Sequence, residues 1–217
     1  MRTVILDLDG TLMDTGADLL AAANAAVGAD VLDPAEDKAT AFRGGRAMIR
    51  LALGRMNGAW TEAEVDALFQ PLLDRYEARI DERTTIYPGA MEAVDEMRGR
   101  GWRVGICTNK PEGLAETLLR RKGVRDRFDS LVGADRLAVR KPHPDHYALS
   151  VGEAGGDVAR SLLVGDTETD RETARQAGVP CVLVAFGPEG RAVERMAPEA
   201  LLNGYEDLVA IAERLIP

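Results

Sequence analysis

The chain has 217 residues, which is enough to bury a sizeable core and suits one full domain with an insertion, or one domain with a small partner. Its apolar fraction of 46% and charged fraction of 29% are near globular averages, so the composition excludes a disordered chain. The net charge of -9 excludes nucleic acid and acidic membrane surfaces as favoured partners, and any anionic ligand must be captured by a local device.

The start of the chain and its cysteines indicate where the protein works. Only a short apolar run, 3–6, precedes the first acidic residues, so the N-terminus is predicted to be neither a signal peptide nor a membrane span. Cys107 and Cys181 have no metal-ligand spacing and are typical of a reducing compartment. We expect a soluble, cytoplasmic protein, and the sequence leaves a monomer and a homodimer open.

Short apolar runs alternate with amphipathic stretches over most of the chain. The apolar runs lie at 3–6, 102–107, 161–164 and 181–185, with a weaker fifth at 130–132. The amphipathic stretches lie at 89–100, 112–122, 145–154 and 168–177. Runs that are apolar on successive residues favour strands covered on both faces, and the alternation predicts an α/β fold with a doubly wound, mainly parallel sheet.

The interval 15–83 breaks this alternation because it has helical periodicity and no strand-like run. Candidate helices lie at 18–26, 34–42, 46–55 and 62–80. The interval begins directly after the first strand and its turn, on the side where open α/β sheets bind ligands. We therefore predict a core of residues 1–14 and 84–217, and an inserted all-helical cap of residues 15–83 that covers the site.

Two carboxylates follow the first predicted strand, in Asp7-Leu8-Asp9-Gly10-Thr11. Alternate side chains of an extended chain share a face, so Asp7 and Asp9 can point into one crevice while Gly10 lets the backbone turn. Facing carboxylates repel, and a bound divalent cation is the simplest remedy. The alternative is an acidic boundary between strand and turn with Asx caps.

A second carboxylate group follows a later strand, in Val164-Gly165-Asp166, and a helix opens just after it. Oxygen ligands at such an edge suit Mg²⁺, and Asp166 is the better candidate ligand. Asp170, in the first turn of that helix, either complements the helix dipole or supports the metal site, and these interpretations are compatible.

Polar groups also follow the strand at 102–107. Thr108 and Asn109 stand just before a helix, where they form a phosphate cradle or serve as an ordinary helix N-cap. Lys141 precedes a proline, and it is either solvated or placed to neutralise charge beside Asp7 and a phosphate.

The order of these four segments resembles that of the haloacid dehalogenase-like hydrolase superfamily, and the insertion resembles its C1-type cap. Segments 86–89, 107–111 and 140–142 are also similar to those of phosphoglycolate phosphatases. The resemblance implies that Asp7 is the nucleophile and forms an aspartyl-phosphate. It implies that Asp9 is the acid and base, with a backbone carbonyl on Mg²⁺. The presence of Asp9 favours phosphoryl chemistry over the cleavage of a carbon–halogen bond.

The resemblance also gives roles to residues of the other segments. Thr108 and Lys141 would clamp the transferring phosphoryl group, Thr11 and Asn109 would contact phosphate, and Asp166 would be a side-chain ligand of the metal. The implied enzyme is a Mg²⁺-dependent phosphomonoesterase of carbohydrate metabolism. Its substrate would be a small phosphorylated metabolite, first of all 2-phosphoglycolate.

Three alternatives stay open at this point. The chain could be a phosphomutase of the β-phosphoglucomutase kind, a phosphatase for another small ester, or a binding protein without activity. The intact set of Asp7, Asp9, Lys141 and Asp166 disfavours the last of these.

The loop Gly44-Gly45-Arg46 is the predicted place of substrate choice. The glycines permit close backbone approach, and an arginine can bind a carboxylate such as that of glycolate through two hydrogen bonds. The alternative is a plain interhelix loop with a solvated arginine.

Overall fold

The computed structural model describes residues 1–217 and contains eight strands and nine α-helices. The strands are β1 (Thr3–Leu6), β2 (Met13–Asp14), β3 (Thr85–Ile86), β4 (Arg103–Cys107), β5 (Ser130–Val132), β6 (Ser161–Gly165), β7 (Cys181–Val184) and β8 (Ala200–Leu202). The helices are α1 (Gly16–Val27), α2 (Lys38–Ala41), α3 (Gly45–Asn57), α4 (Glu62–Ala78), α5 (Ala90–Gly99), α6 (Glu112–Arg121), α7 (Pro144–Glu153), α8 (Glu168–Ala177) and α9 (Leu208–Leu215).

Six strands form one parallel sheet in the order β5-β4-β1-β6-β7-β8. β1 lies between β4 and β6, with Thr3 opposite both Arg103 and Ser161. Val4 and Ile5 of β1 are fully buried, as expected for a strand whose sheet is covered by helices on both faces. The predicted fold class, a doubly wound α/β sheet, is confirmed.

The chain divides into two compact units. The first comprises Met1–Met13 and Ile86–Pro217 and contains the sheet, and the second comprises Asp14–Thr85. The boundaries fall after residues 13 and 85, where the sequence predicted 14 and 83. β2 and β3 pair with each other where the chain leaves the first unit and returns to it.

The second unit is a helical module with its own core. A single apolar cluster forms this core. Its buried members include Leu20 of α1, Met48 and Ile49 of α3, and Leu72 of α4. α4 begins with a capping box, in which Thr61 accepts from the backbone N–H of Glu64 and the Glu64 carboxylate accepts from that of Thr61.

The predicted helix over 34–42 is wrong for most of its length, because only α2 (Lys38–Ala41) forms. The carboxylates before it bind backbone groups instead. Asp37 accepts from the N–H of Asp33, and Asp33 accepts from the N–H of Ala35. Side chains that bind nearby backbone in this way hold turns at the expense of helix.

Two core elements have no counterpart in the predicted set, β8 and α9. β8 has only three residues, as does the weakly predicted β5, and a run this short gives little periodicity. None of the helices combines the length and the apolar character that crossing a bilayer requires.

Candidate active site

The order of strands brings the predicted residues of the core to one edge of the sheet. Asp7 follows β1, Thr108 follows β4 and Asp166 follows β6, and these three strands are neighbours. Because parallel strands end on the same side, the side chains that follow them share one crevice.

Lys141 joins two carboxylates at this edge. Its ammonium lies 3.0 Å from Oδ2 of Asp7 and 2.6 Å from Oδ1 of Asp170, and its side chain is 1% exposed. Burial alone would lower the pKa of Lys141, but Asp170 and Asp7 raise it above the ordinary lysine value. Lys141 therefore carries a fixed positive charge beside Asp7.

Asp7 is a buried carboxylate whose surroundings disfavour its negative charge. Burial raises the pKa of Asp7 to about 6, although the neighbouring Lys141 acts in the opposite direction. Its Oδ1 accepts a hydrogen bond of 2.7 Å from the backbone N–H of Leu8, which fixes the side chain. A bound cation would stabilise the negative charge of Asp7 that burial disfavours.

Asp166 has one oxygen bound and one oxygen without a partner. Oδ1 accepts from the Thr11 hydroxyl at 2.8 Å, whereas Oδ2 is buried and unpaired. Burial and the nearby Asp170 and Asp7 carboxylates raise the pKa of Asp166 well above its ordinary value. The Thr11 hydroxyl is buried and donates to Asp166, and the phosphate contact expected for Thr11 stays a prediction.

The donor set at this edge fits a hard divalent cation. Oxygens of Asp7, Asp166 and Asp170 lie within 4.8 Å of one another, and all three residues are buried. The unpaired Oδ2 of Asp166 is a buried polar atom that requires a partner. The residues present therefore fit a metal ion with oxygen ligands.

Asp170 is placed to support this cluster, since both of its oxygens are engaged. Oδ1 accepts from Lys141, and Oδ2 accepts from the backbone N–H of Asp166 and from the N–H and hydroxyl of Thr167. Thr167 and Asp170 also form the capping box of α8, so Asp170 closes the first turn of that helix, and its support of a metal site stays a prediction.

The segment after β4 is not an ordinary helix cap. The N-cap of α6 is Pro111, and neither Thr108 nor Asn109 caps the helix. The Thr108 hydroxyl accepts from the N–H of Lys110 at 3.2 Å. Asn109 donates to the backbone oxygen of Lys141 at 3.0 Å, and its own Oδ1 is buried without a partner. Asn109 therefore connects the segment after β4 to the loop that contains Lys141.

Asp9 forms an ion pair that sequence reasoning missed. The ammonium of Lys110 lies 2.9 Å from Oδ1 and 3.0 Å from Oδ2 of Asp9. The available signal was the position of Lys110, two residues after Thr108 in a segment that ends at the same edge as Asp9.

The turn after Asp9 depends on glycine. Gly10 has a φ of +83°, a conformation that other residues rarely adopt, and its N–H donates to the oxygen of Met13 at 2.8 Å. This turn redirects the chain directly after the two carboxylates, so both remain at the edge of the sheet.

Gly44, Gly45 and Arg46 belong to the second unit. Gly44 has a φ of +95° and precedes the first residue of α3, Gly45. Arg46 forms an ion pair with Asp66, and its guanidinium lies 4.8 Å from the ring centroid of Phe69. The arginine is therefore held on the surface of the helical unit, where its side chain is 43% exposed.

The parallel sheet with its carboxylates at one edge defines a Rossmann-like α/β protein, and comparison with known proteins identifies the family. The family model described as haloacid dehalogenase-like hydrolase matches residues 1–178. The chain therefore belongs to the haloacid dehalogenase-like hydrolase family.

Curated relatives extend over the full chain. The phosphoglycolate phosphatase of Mesorhizobium japonicum is 39% identical and the match covers 98% of this chain and 96% of that protein. The phosphoglycolate phosphatase of Agrobacterium fabrum is 35% identical, covering 98% of this chain and 93% of the relative. Like these relatives, the chain is an enzyme of the phosphoric monoester hydrolase class.

Solved structures share the fold at lower identity. CbbY from Rhodobacter sphaeroides in complex with phosphate has a TM-score of 0.77 at 23% identity, with 98% of this chain and 99% of that chain covered. A hydrolase from Pseudomonas syringae has a TM-score of 0.78 at 21% identity, with both chains fully covered.

Proposed function

We propose that this enzyme is a Mg²⁺-dependent phosphomonoesterase that cleaves a small phosphorylated metabolite, preferentially 2-phosphoglycolate, through an aspartyl-phosphate on Asp7. The observation that carries the proposal is the unpaired, buried Oδ2 of Asp166 beside Asp7 and Lys141. The names of the curated relatives support the substrate.

Three residues would hold the metal ion. Asp7 and Asp166 would contribute side-chain oxygens, and Asp9 would contribute its backbone carbonyl. A divalent cation here supplies positive charge that offsets two carboxylates and a phosphate, so that anion can approach anion. Mg²⁺ suits the site because its ligands are oxygens and it tolerates few protein ligands.

In the first step, an oxygen of Asp7 attacks phosphorus and the ester P–O bond breaks. The leaving alkoxide takes a proton from Asp9, which leaves Asp9 ionised. Lys141 lies 3.0 Å from Asp7 and holds that carboxylate in place, and with Thr108 it would bind the transferring oxygens.

In the second step, a water molecule attacks phosphorus and gives its proton to Asp9. The bond between phosphorus and Asp7 breaks, inorganic phosphate leaves, and both carboxyl groups return to their starting states. Thr11 and Asn109 act at the rim of this chemistry, since Thr11 orients Asp166 and Asn109 fixes the loop of Lys141.

Substrate choice is assigned to the helical unit, because the phosphoryl site treats monoesters alike. Arg46 follows two glycines, and its half-exposed side chain pairs with Asp66, a partner that it would exchange for the carboxylate of phosphoglycolate. Arg46→Met is expected to raise the KM for phosphoglycolate and leave that for ethyl phosphate unchanged.

The test is a panel of phosphate esters with and without EDTA, comparing wild type with Asp7→Asn. We expect phosphate release from phosphoglycolate above the other esters, loss with EDTA, recovery with Mg²⁺, and no activity in Asp7→Asn. Full activity of Asp7→Asn would overturn the mechanism. An isomerised sugar phosphate in place of free phosphate, seen by phosphorus NMR, would indicate a phosphomutase instead.

A further inference from the structure

Lys110 and Asp9 form a close ion pair in the candidate active site. The proposed mechanism uses Lys141 and gives Lys110 no role. The ammonium contacts both carboxylate oxygens, and the side chains are 3% and 19% exposed. Taking an ammonium out of water is unfavourable, and a buried pair is often no more stable than an apolar one of the same shape. Stability alone therefore gives weak grounds for a lysine here.

The backbone holds Lys110 rigidly in this position. Its N–H donates to the Thr108 hydroxyl at 3.2 Å, and its carbonyl accepts from the N–H of Ala134 at 3.0 Å. Pro111 and helix α6 follow at once. A long side chain that starts from a fixed backbone and ends in a part-buried contact has few conformations left, so it can fix its partner.

We propose that Lys110 is a positioning residue that orients the Asp9 carboxyl group for proton transfer to the leaving group. This inference rests on the proposed function, in which Asp9 is the acid. A carboxyl group has two oxygens, so one can accept from the ammonium while the other carries the proton. Without the ammonium, Asp9 keeps its place in the chain but its carboxyl group loses the contact that Lys110 makes with both of its oxygens.

Leaving-group dependence is the property that isolates this role. The alkoxide of ethyl phosphate or phosphoglycolate needs a proton as the P–O bond breaks, whereas 4-nitrophenolate leaves without one. The ratio kcat/KM reports the steps up to release of the alcohol, and these precede the attack of water. A misplaced acid therefore lowers kcat/KM for alkyl esters and spares it for the aryl ester.

The experiment compares Lys110→Met with wild type on ethyl phosphate, phosphoglycolate and 4-nitrophenyl phosphate at saturating Mg²⁺. General acid catalysis contributes about 100-fold to 10,000-fold, so poor positioning is expected to lower kcat/KM for both alkyl esters by about 10-fold to 100-fold. The value for the aryl ester should change by less than about 3-fold. Rapid mixing should then show a burst of nitrophenolate, because Asp9 is also needed in the second step.

Three further variants separate positioning from damage to the fold. Lys110→Arg retains a cation and should recover part of the alkyl activity. Lys110→Met added to Asp9→Asn should have no further effect, since the lysine acts through Asp9. Lys122→Met, at the opposite end of α6, should behave as wild type on all three esters.

Two results would overturn the inference while the proposed function stands. An equal loss on all three esters would show that Lys110 is structural. A loss on phosphoglycolate alone would show that Lys110 binds the substrate carboxylate. If the wild-type enzyme released phosphate from none of the three esters, the proposed function itself would fail.

Discussion

At the scale of the residue, Asp7, the proposed nucleophile, illustrates how a buried carboxyl group can lower the stability of the protein that carries it. Its pKa rises from 3.8 to about 6 on folding because it is buried near other carboxylates. Between these values the folded state binds more protons than the unfolded state. The contribution of Asp7 to stability is therefore most favourable at low pH and is lost as the pH rises through about 6.

Replacement of Asp7 should stabilise the metal-free protein while it abolishes activity. Asp7→Asn removes a disfavoured charge, and two pKa units correspond to an upper value of roughly 3 kcal/mol at pH 7. Melting curves in EDTA should give a higher Tm for Asp7→Asn than for wild type at pH 7. The gap should close at pH 5, where Asp7 of the wild type is protonated. A lower Tm for the variant at both pH values would contradict this account.

Lys110 and Asp166 differ in how far the sequence alone predicts their place in the site. Asp166 was predictable because a carboxylate after an apolar strand is an unusual pattern with a chemical explanation. Lys110 was not, because a lysine after a strand is normally solvated. Only the packing of β4 beside β1 shows that this ammonium reaches Asp9.

At the scale of the element, the end of β6 depends on a residue without a side chain. A Cβ at Gly165 would lie 2.3 Å from Cβ and Cγ of Asp170, which is too close for any real contact. Asp170 in turn holds Lys141. The close approach of β6 and α8 at Gly165 therefore sets the position of Asp170. Asp170 places the Lys141 ammonium beside Asp7.

Gly165→Ala should displace Asp170 and lower both stability and activity. Overpacking of a buried site destabilises by about 1–3 kcal/mol, and the loss of contact between Asp170 and Lys141 should reduce kcat. Gly152→Ala is the matched control, because a Cβ there meets open space within α7 and should stabilise by up to about 1 kcal/mol. Thermal melting and turnover measure both effects, and equal behaviour of the two variants would count against this role of Gly165.

The elements of the core were more predictable than those of the helical unit. Buried parallel strands such as β1 and β7 are continuous apolar runs, and few other structures produce that pattern. The segment before α2 has helical periodicity as well, but Asp33 and Asp37 bind nearby backbone groups and hold turns. Such local competition is decided by contacts that periodicity does not record.

At the scale of the whole molecule, the acidic cluster couples metal binding to folding. A ligand that binds only the folded state adds stability in proportion to the logarithm of its concentration, about 2.7 kcal/mol at 100 times Kd. The cluster of Asp7, Asp166 and Asp170 exists only in the folded chain, because Asp7 is far in sequence from the other two residues.

Magnesium should therefore raise the Tm of the wild type, by roughly 2–4 °C per kcal/mol for a chain of this size. Asp166→Asn should lose most of that response, because its unpaired oxygen is a proposed ligand. Asp74→Asn, on the surface of α4, should retain it. A titration of Tm against Mg²⁺ for the three proteins provides the measurement. An unchanged response in Asp166→Asn would exclude that residue as a ligand.

The pairing of β2 with β3 has a consequence for how such an enzyme can change over time. The chain leaves the sheet-containing unit and re-enters it at neighbouring points, and within that unit the backbone N–H of Tyr87 donates to the backbone oxygen of Leu12 at 3.1 Å. A segment with adjacent ends can be lengthened, shortened or exchanged without moving the strands on either side. The 72-residue insertion, Asp14–Thr85, can therefore be replaced as one unit. If the helical unit selects the substrate as proposed, exchange of this segment at its two ends would give the same chemistry a different substrate.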